Sequence, residues 1–408
     1  MCKLRFSAAT NFDNELPARL ASHSVVELFG KLPRDAAGGG RASYMLAPVS
    51  RHRLEEHVRE ARRHGMAFDY LINPACMGNR EFTAVGQRDL RRLLDWISQI
   101  GVEWVTISIP MLLEIVKARY PDLKIRVGVY AQVNSPVRAR YWEDLGADCI
   151  TVEPLTANRD FRRLRAIRDS VKCDLQLLAN AACLKECPLS PYHMVSLSHA
   201  SQTHSERFMI DYCLLACSAM KLADPANYLM SPWIRPEDLR LYEAIGYKSF
   251  KILERDAPTD TLVNRVRAYH ERRFDGNLIE LIQPYGYKEK RSGSQPRRGR
   301  LWDVRTFLRP WKANPARLLR WREFAKMHGM LYESDQRSPL VIDNRALDGF
   351  VEGLIDRDCG GRDCDLCGYC RNIAQEVVRL DPAYRDRCID LAQGLLDDMR
   401  SGAMWKYR

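Results

Sequence analysis

From residue 4 to about residue 275, short apolar runs alternate with stretches whose apolar positions recur every three or four residues. The runs fall at 4–8, 25–28, 68–72, 104–109, 125–130, 149–152, 175–178 and 250–253. The last six read as apolar on both faces, the pattern of strands in a buried parallel sheet. Between the runs the periodicity predicts amphipathic helices. One covers 51–64 after Pro48, Val49 and Ser50, and one covers 87–101, closed by Gly101. A third opens on Ser135 and Pro136 and closes at Gly146, with proline at the first helical position. Two more cover 157–170 and 235–246. Eight strands with intervening helices predict an α/β fold, a β/α (TIM-like) barrel, with a doubly wound open sheet as the alternative.

The alternation breaks between residues 180 and 250, where four cysteines gather. This predicts a cysteine-rich, cluster-binding insertion over 180–235 on the strand-end face. Beyond Gly276 the texture changes. Residues 278–282 read as one more strand. A basic linker over 276–310 follows, with Lys288, Lys290, Arg291, Arg297, Arg298 and Arg300 around a Ser-Gly-Ser-Gln-Pro stretch. Trp302, Trp311 and Trp321 come next, with helical patterns at 315–327, 345–355, 371–380 and 384–400. The expected organisation is a barrel over 1–275, the linker, and a small, mainly helical C-terminal domain over 311–408.

Bulk properties narrow the classes. At 408 residues and 46% hydrophobic, the chain has the composition of a globular protein. No stretch approaches the ~20 consecutive apolar residues of a membrane span. The first apolar run is too short for a signal-peptide core, which predicts a cytoplasmic protein with no membrane partner. In a reducing compartment, thirteen cysteines point to metal or redox chemistry in place of disulfides. The net charge of +11 fits an acidic partner: RNA, an acidic protein or an anionic small molecule. Base composition explains it equally well, because arginine far outnumbers lysine.

Two cysteine constellations carry the chemistry. Cys183 and Cys187 form one C-x3-C pair, and Cys213 and Cys217 a second, just after a predicted strand. Thiolates suit iron–sulfur clusters and zinc alike; zinc knuckles usually space their cysteines C-x2-C, so C-x3-C favours iron–sulfur. The bland alternative is four buried thiols packing as small hydrophobes. The second constellation is Cys359, Cys364, Cys367 and Cys370, four thiols within 12 residues. Its spacing matches parts of both plant-type and bacterial ferredoxin runs, and zinc is the alternative. So close a set needs little help from the rest of the fold. Cys76 follows another strand and reads as a buried thiol, with substitution for one of the four ligands as the alternative; Cys2, Cys149, Cys173 and Cys388 are isolated and read as structural.

At these residues the sequence resembles the U32 "peptidase" family over roughly its first 275 residues. The likeness lies in strand 125–132 leading to Asn134, in Gly146-Ala147-Asp148 followed by Glu153, in the approach from Leu178 to Cys183, and in Ser249 to Arg255. This last segment is similar to the family's Phe-Lys-Ile-Glu-Gly-Arg, with Glu254 where glycine is expected. Lys185, Glu186, Cys187 and Pro188 replace the family's Ser-Gly-x-Cys. The resemblance implies a 4Fe–4S cluster on Cys183, Cys187, Cys213 and Cys217. It also implies oxygen-independent hydroxylation of an aromatic or heteroaromatic molecule or RNA base, with prephenate as an anionic oxygen donor. Cys359, Cys364, Cys367 and Cys370 lie outside the family's core pattern and are expected to hold a second cluster or zinc. An electron donor protein is the partner expected of such chemistry.

Barrel catalysis uses the carboxyl ends of strands. Asn73, Gln132, Asn134, Glu153, Asn180 and Glu254 should therefore surround one mouth. Gln132, Asn134 and Glu153 are the expected catalytic groups, with Lys251 and Arg235, and also Arg255, as cationic clamps. The peptidase alternative lacks HExxH and G-x-S-x-G motifs. His193, His199 and His204 lie in the insertion, as structural hydrogen-bonders or as proton shuttles or ligands. The third alternative, a non-catalytic RNA-binding iron–sulfur protein, rests on the basic linker and the tryptophans.

Overall fold

The computed structural model describes residues 4–40, 46, 48–205, 210–254, 257–282, 313–328, 338–361 and 363–405. The basic linker from residue 283 on, Trp302, Trp311, Arg255 and Cys2 lie outside them.

Eight parallel strands close into a barrel. They are β1 (Arg5–Ala9), β2 (Val25–Gly30), β3 (Ala67–Ile72), β4 (Trp104–Ile107), β5 (Lys124–Val127), β6 (Cys149–Thr151), β7 (Asp174–Leu178) and β8 (Ser249–Ile252). The last strand pairs with the first, Phe6 opposite Phe250, which rules out the open sheet. Helices start where the sequence supplies caps. Ser50 accepts from Arg53 N, Thr83 from Gly86 N, and Ser135 from Arg138 N ahead of Pro136.

The alternating pattern of each strand sets two faces. Phe6, Phe68, Tyr70, Val105, Ile125, Ile150 and Phe250 are buried toward the helices. The other face is polar, contrary to the expectation of strands apolar on both sides. Arg126 donates to Glu27 through both terminal nitrogens, and to Asp69 at 2.9 Å. Ser7 donates to Glu27. Thr106 donates to Asp69 at 2.7 Å, and Lys251 reaches Asp69 at 3.4 Å. Gln176 donates to Ser7 at 2.8 Å and Ser249 at 3.1 Å, and accepts from Thr151 at 3.1 Å. All eight strands contribute. Two carboxylates meet two cations, so the interior tolerates charge because it is compensated.

The segment expected as a strand at 278–282 is a helical turn, Ile279–Ile282, buried against β9 (Leu340–Ile342). A run this short has no period that separates strand from buried helix, and the closed barrel has no free edge. β9 pairs antiparallel with β10 (Val378–Leu380). Among the described residues, the C-terminal region has no core of its own. Ile342, Phe350, Leu354 and Val377 join the barrel core. Helices Pro315–Met327 and Pro382–Arg400 share a second core with the insertion helix Tyr212–Ala223. Among the described residues no helix is long and apolar enough to cross a membrane.

Candidate metal–sulfur centres and the barrel mouth

The first thiol set is assembled by the loop after β7 and one helix of the insertion. Asn180 clamps that loop's base to the end of β8: it accepts from Leu253 N at 2.7 Å and donates to Leu281 O at 3.0 Å. Glu186, in a left-handed conformation (φ 48°), turns the loop, and its N–H donates to Leu155 O at 3.1 Å. Lys221 donates to Ala182 O at 2.8 Å, tying the loop to the insertion helix. That helix is capped by Asp211, which accepts from Leu214 N at 3.0 Å. Cys213 and Cys217 stand one turn apart on it, on one face. Cys183 lies within electrostatic range of Cys187 and Cys217, and Cys213 within range of the same two. All four are free thiols. Burial, with Asp211 next, pushes the Cys213 thiol up to about 12, and burial also pushes Cys217 up.

The second set lies within one turn-rich segment. Cys359 opens a short turn, Cys359–Gly361, and Cys364 and Cys367 sit on a helical turn capped by Asp363, which accepts from Asp365 N at 2.8 Å. Gly368 (φ 65°) reverses the chain into the helix carrying Cys370. The four thiols line one recess of about 440 Å³, counted out to its open mouth, with Met230, Leu354 and Tyr369. The barrel reaches into this site, so it is less local than its spacing suggested. Lys185 Nζ donates to Cys364 Sγ at 3.2 Å and to Cys359 O at 3.4 Å. Arg159 is buried over the Trp233 ring at 4.2 Å. Its Nη2 donates to Ser231 O at 3.0 Å, while its buried Nε and Nη1 have no hydrogen-bond partner among the described residues. Burial pushes the Cys370 thiol up to about 12, with Arg159 pulling against it. A Cβ on Gly360 would stand 2.1 Å from Asp160 Oδ2, so only glycine lets this turn sit so close to the barrel.

Eight thiols in two gathered, disulfide-free sets fit iron–sulfur ligation in donor chemistry and number. Among the described residues, no three His, Cys, Asp or Glu side chains close on a single ion-sized hole. Cys76, Cys149, Cys173 and Cys388 are also free thiols. Cys76 accepts from Gly78 N at 3.3 Å. Cys149 is buried on β6 and Cys388 on the helix Pro382–Arg400.

At the mouth the predicted residues divide. Gln132, left-handed at φ 52°, points its Nε2 at Met194 Sδ, 3.8 Å away on an insertion helix. Asn134 donates to Thr156 at 3.2 Å. Glu153 is spent on a helix cap, accepting from Leu155 N at 2.7 Å, Thr156 N at 3.0 Å and Thr156 Oγ1 at 2.7 Å. Lys251 belongs to the barrel interior, paired with Asp69 and 4.0 Å from the Phe29 ring centre. Arg235 is committed to Asp238 at 2.8 and 2.9 Å and to Asn344 O at 2.8 Å. Both expected clamps are therefore already paired with carboxylates, as burial demands of a cation. His193 pairs with Asp211 at 3.0 Å, and His199 with Gln202 at 3.1 Å.

Glu254 keeps positive φ, 110°, at the position where the resemblance expects glycine. Sequence reasoning missed Ser108. Among the described residues its buried Oγ and Asn73 Oδ1 have no hydrogen-bond partner, and a Cβ on Gly128 would lie 3.0 Å from that hydroxyl and 3.4 Å from Asn73 Cβ. The signal was available: Ser108 directly follows β4, as Asn73 follows β3.

No family model matches the chain. An uncharacterized protease of Methanocaldococcus jannaschii is 27% identical over 343 residues, covering 84% of this chain and 86% of that protein. Among solved structures, the U32 peptidase Mk0906 superposes with a TM-score of 0.45 and 22% identity, over 62% of this chain and 92% of that one. Phosphoribosyl anthranilate isomerase from Thermus thermophilus superposes with a TM-score of 0.36 and 10% identity, over 66% and 98%.

Proposed function

We propose that this U32 peptidase-like chain is an iron–sulfur-dependent oxidoreductase acting on a substrate at the barrel mouth. The observation that carries the reading is the placing of Cys183 and Cys187, in the loop after β7, within electrostatic range of thiols on the helix that bears Cys213 and Cys217. An iron–sulfur cluster held by these four thiolates would supply one-electron chemistry, and four protein ligands leave no iron open. The chain's own residues do the rest. Asn73 and Ser108 offer buried, unpartnered oxygen atoms for substrate hydrogen bonds, and Gln132 and Asn134 extend that polar rim. Glu153 holds the segment beneath the cysteine loop, because Leu155, whose N–H it caps, accepts from Glu186 N. Within this reading, the reaction is oxygen-independent hydroxylation of an aromatic or heteroaromatic small molecule or RNA base, with an anionic oxygen donor such as prephenate.

The peptidase reading draws on the name of the archaeal relative. A cysteine nucleophile needs a lowered pKa, and burial raises Cys213 to about 12 and raises Cys217 as well. Metal ligation removes that conflict, since coordinated thiols are deprotonated outright. The test is anaerobic turnover under heavy dioxygen. The expected product carries no label, and peptides are not cleaved. Label incorporation, a need for air, or peptide hydrolysis that survives cluster removal would overturn the proposal.

A further inference from the structure

Lys185 is the middle of the Cys183–Cys187 loop in sequence, yet its ammonium lies on the other thiol set, 3.2 Å from Cys364 Sγ and 3.4 Å from Cys359 O. One side chain therefore links the two centres. Arg159 adds an independent observation. A buried guanidinium with two nitrogens unpartnered among the described residues is costly unless an acceptor completes it. The thiols on which its charge acts are Cys359 and Cys370. Both cations come from the barrel and converge on the C-terminal thiols. A thiolate-bound group is anionic, and N–H donors to its sulfur atoms stabilise its more negative, reduced form. Leu366, between Cys364 and Cys367 in sequence, is 87% exposed.

We infer that Cys359, Cys364, Cys367 and Cys370 hold a second iron–sulfur group that relays single electrons to the first, with Lys185 and Arg159 as donors to its sulfur. This rests on the proposed function. A reduced one-electron carrier protein would supply one electron to the outer group, which would return to its oxidised form by passing that electron to the group held by Cys183, Cys187, Cys213 and Cys217. No bond forms or breaks and no proton need move.

The test uses the full-length protein, purified without air and reduced stepwise with dithionite. Iron, sulfide and zinc are quantified, and EPR is recorded at each potential. Two reduced groups this close should broaden or split each other's signals. The interaction should vanish in Cys364→Ser/Cys367→Ser, which keeps the first group's signal. Lys185→Met should retain full iron while the outer group's reduced-to-oxidised ratio at fixed potential falls three- to tenfold, up to about 59 mV for one electron. Lys185→Arg should restore it. Zinc at the C-terminal thiols, two non-interacting signals, or an unmoved potential in Lys185→Met would overturn the relay. Iron at the first set alone defeats only this inference, whereas iron at neither set defeats the proposed function itself.

Discussion

Replacing Arg126 by Met should strongly destabilise the barrel, because it removes one cation from two buried carboxylates at once. The guanidinium is 4% exposed and satisfies Glu27, 2% exposed, and Asp69, 0% exposed. Methionine fills similar volume but leaves two buried carboxylates sharing the charge of Lys251, which is paired with Asp69. Removing one partner of a buried ion pair costs about 3–5 kcal/mol. Domain stabilities are about 5–15 kcal/mol, so this loss is a large share of the total. Burial opposes ionisation of Asp69, but Lys251 and Arg126 outweigh it and hold its pKa below the ordinary 3.8. Its contribution is therefore full above that value and lost as pH falls through the lower, folded value. With Arg126 gone, the loss should begin at higher pH. Urea unfolding at neutral pH, followed by circular dichroism, measures the effect. Arg126→Met/Glu27→Gln should recover at least half of it, because the Asp69–Lys251 pair is then balanced. A single variant within about 1 kcal/mol of wild type, or a double variant no better than the single, would refute the compensation argument.

Three further outcomes are expected. Burial, with Arg53 next, pushes His57 down to about 3 from 6.5, so the folded chain holds it neutral. Stability should fall as pH drops below 6.5 toward 3, and His57→Gln should flatten that stretch of a Tm-against-pH curve. Arg235→Ala should cost about 3–5 kcal/mol in urea unfolding, with iron content of the folded fraction unchanged, since Asp238 is left buried and unpaired. Gly360→Ala should lower metal retention at the C-terminal thiols under chelator challenge while leaving the first set loaded, because the added methyl meets Asp160.

The barrel was legible because a parallel strand repeats its period eight times and its helices announce themselves by caps such as Ser50 and Ser135. The inner charges were not, since Asp69, Arg126 and Lys251 each look like an isolated flaw until the closed sheet brings them together. Spacing singles out both groups of cysteines in the sequence. Their meeting through Lys185 was not legible, because residues 185 and 364 are distant in sequence and no local pattern pairs them. The mouth fared worst. Glu153 looks catalytic at a strand end, yet its carboxylate caps Leu155 and Thr156, and the cations expected beside it, Lys251 and Arg235, are held by Asp69 and Asp238.

The central claim, an iron–sulfur group on Cys183, Cys187, Cys213 and Cys217, is tested most directly by iron and acid-labile sulfide per chain. The full-length protein and its Cys183→Ala and Cys217→Ala variants are purified without air for this measurement. The account predicts that both variants lose the same single cluster's complement of iron and sulfide, keep the barrel's circular dichroism, and lose activity. Unchanged iron in both variants, or a wild-type protein that binds none, would contradict it.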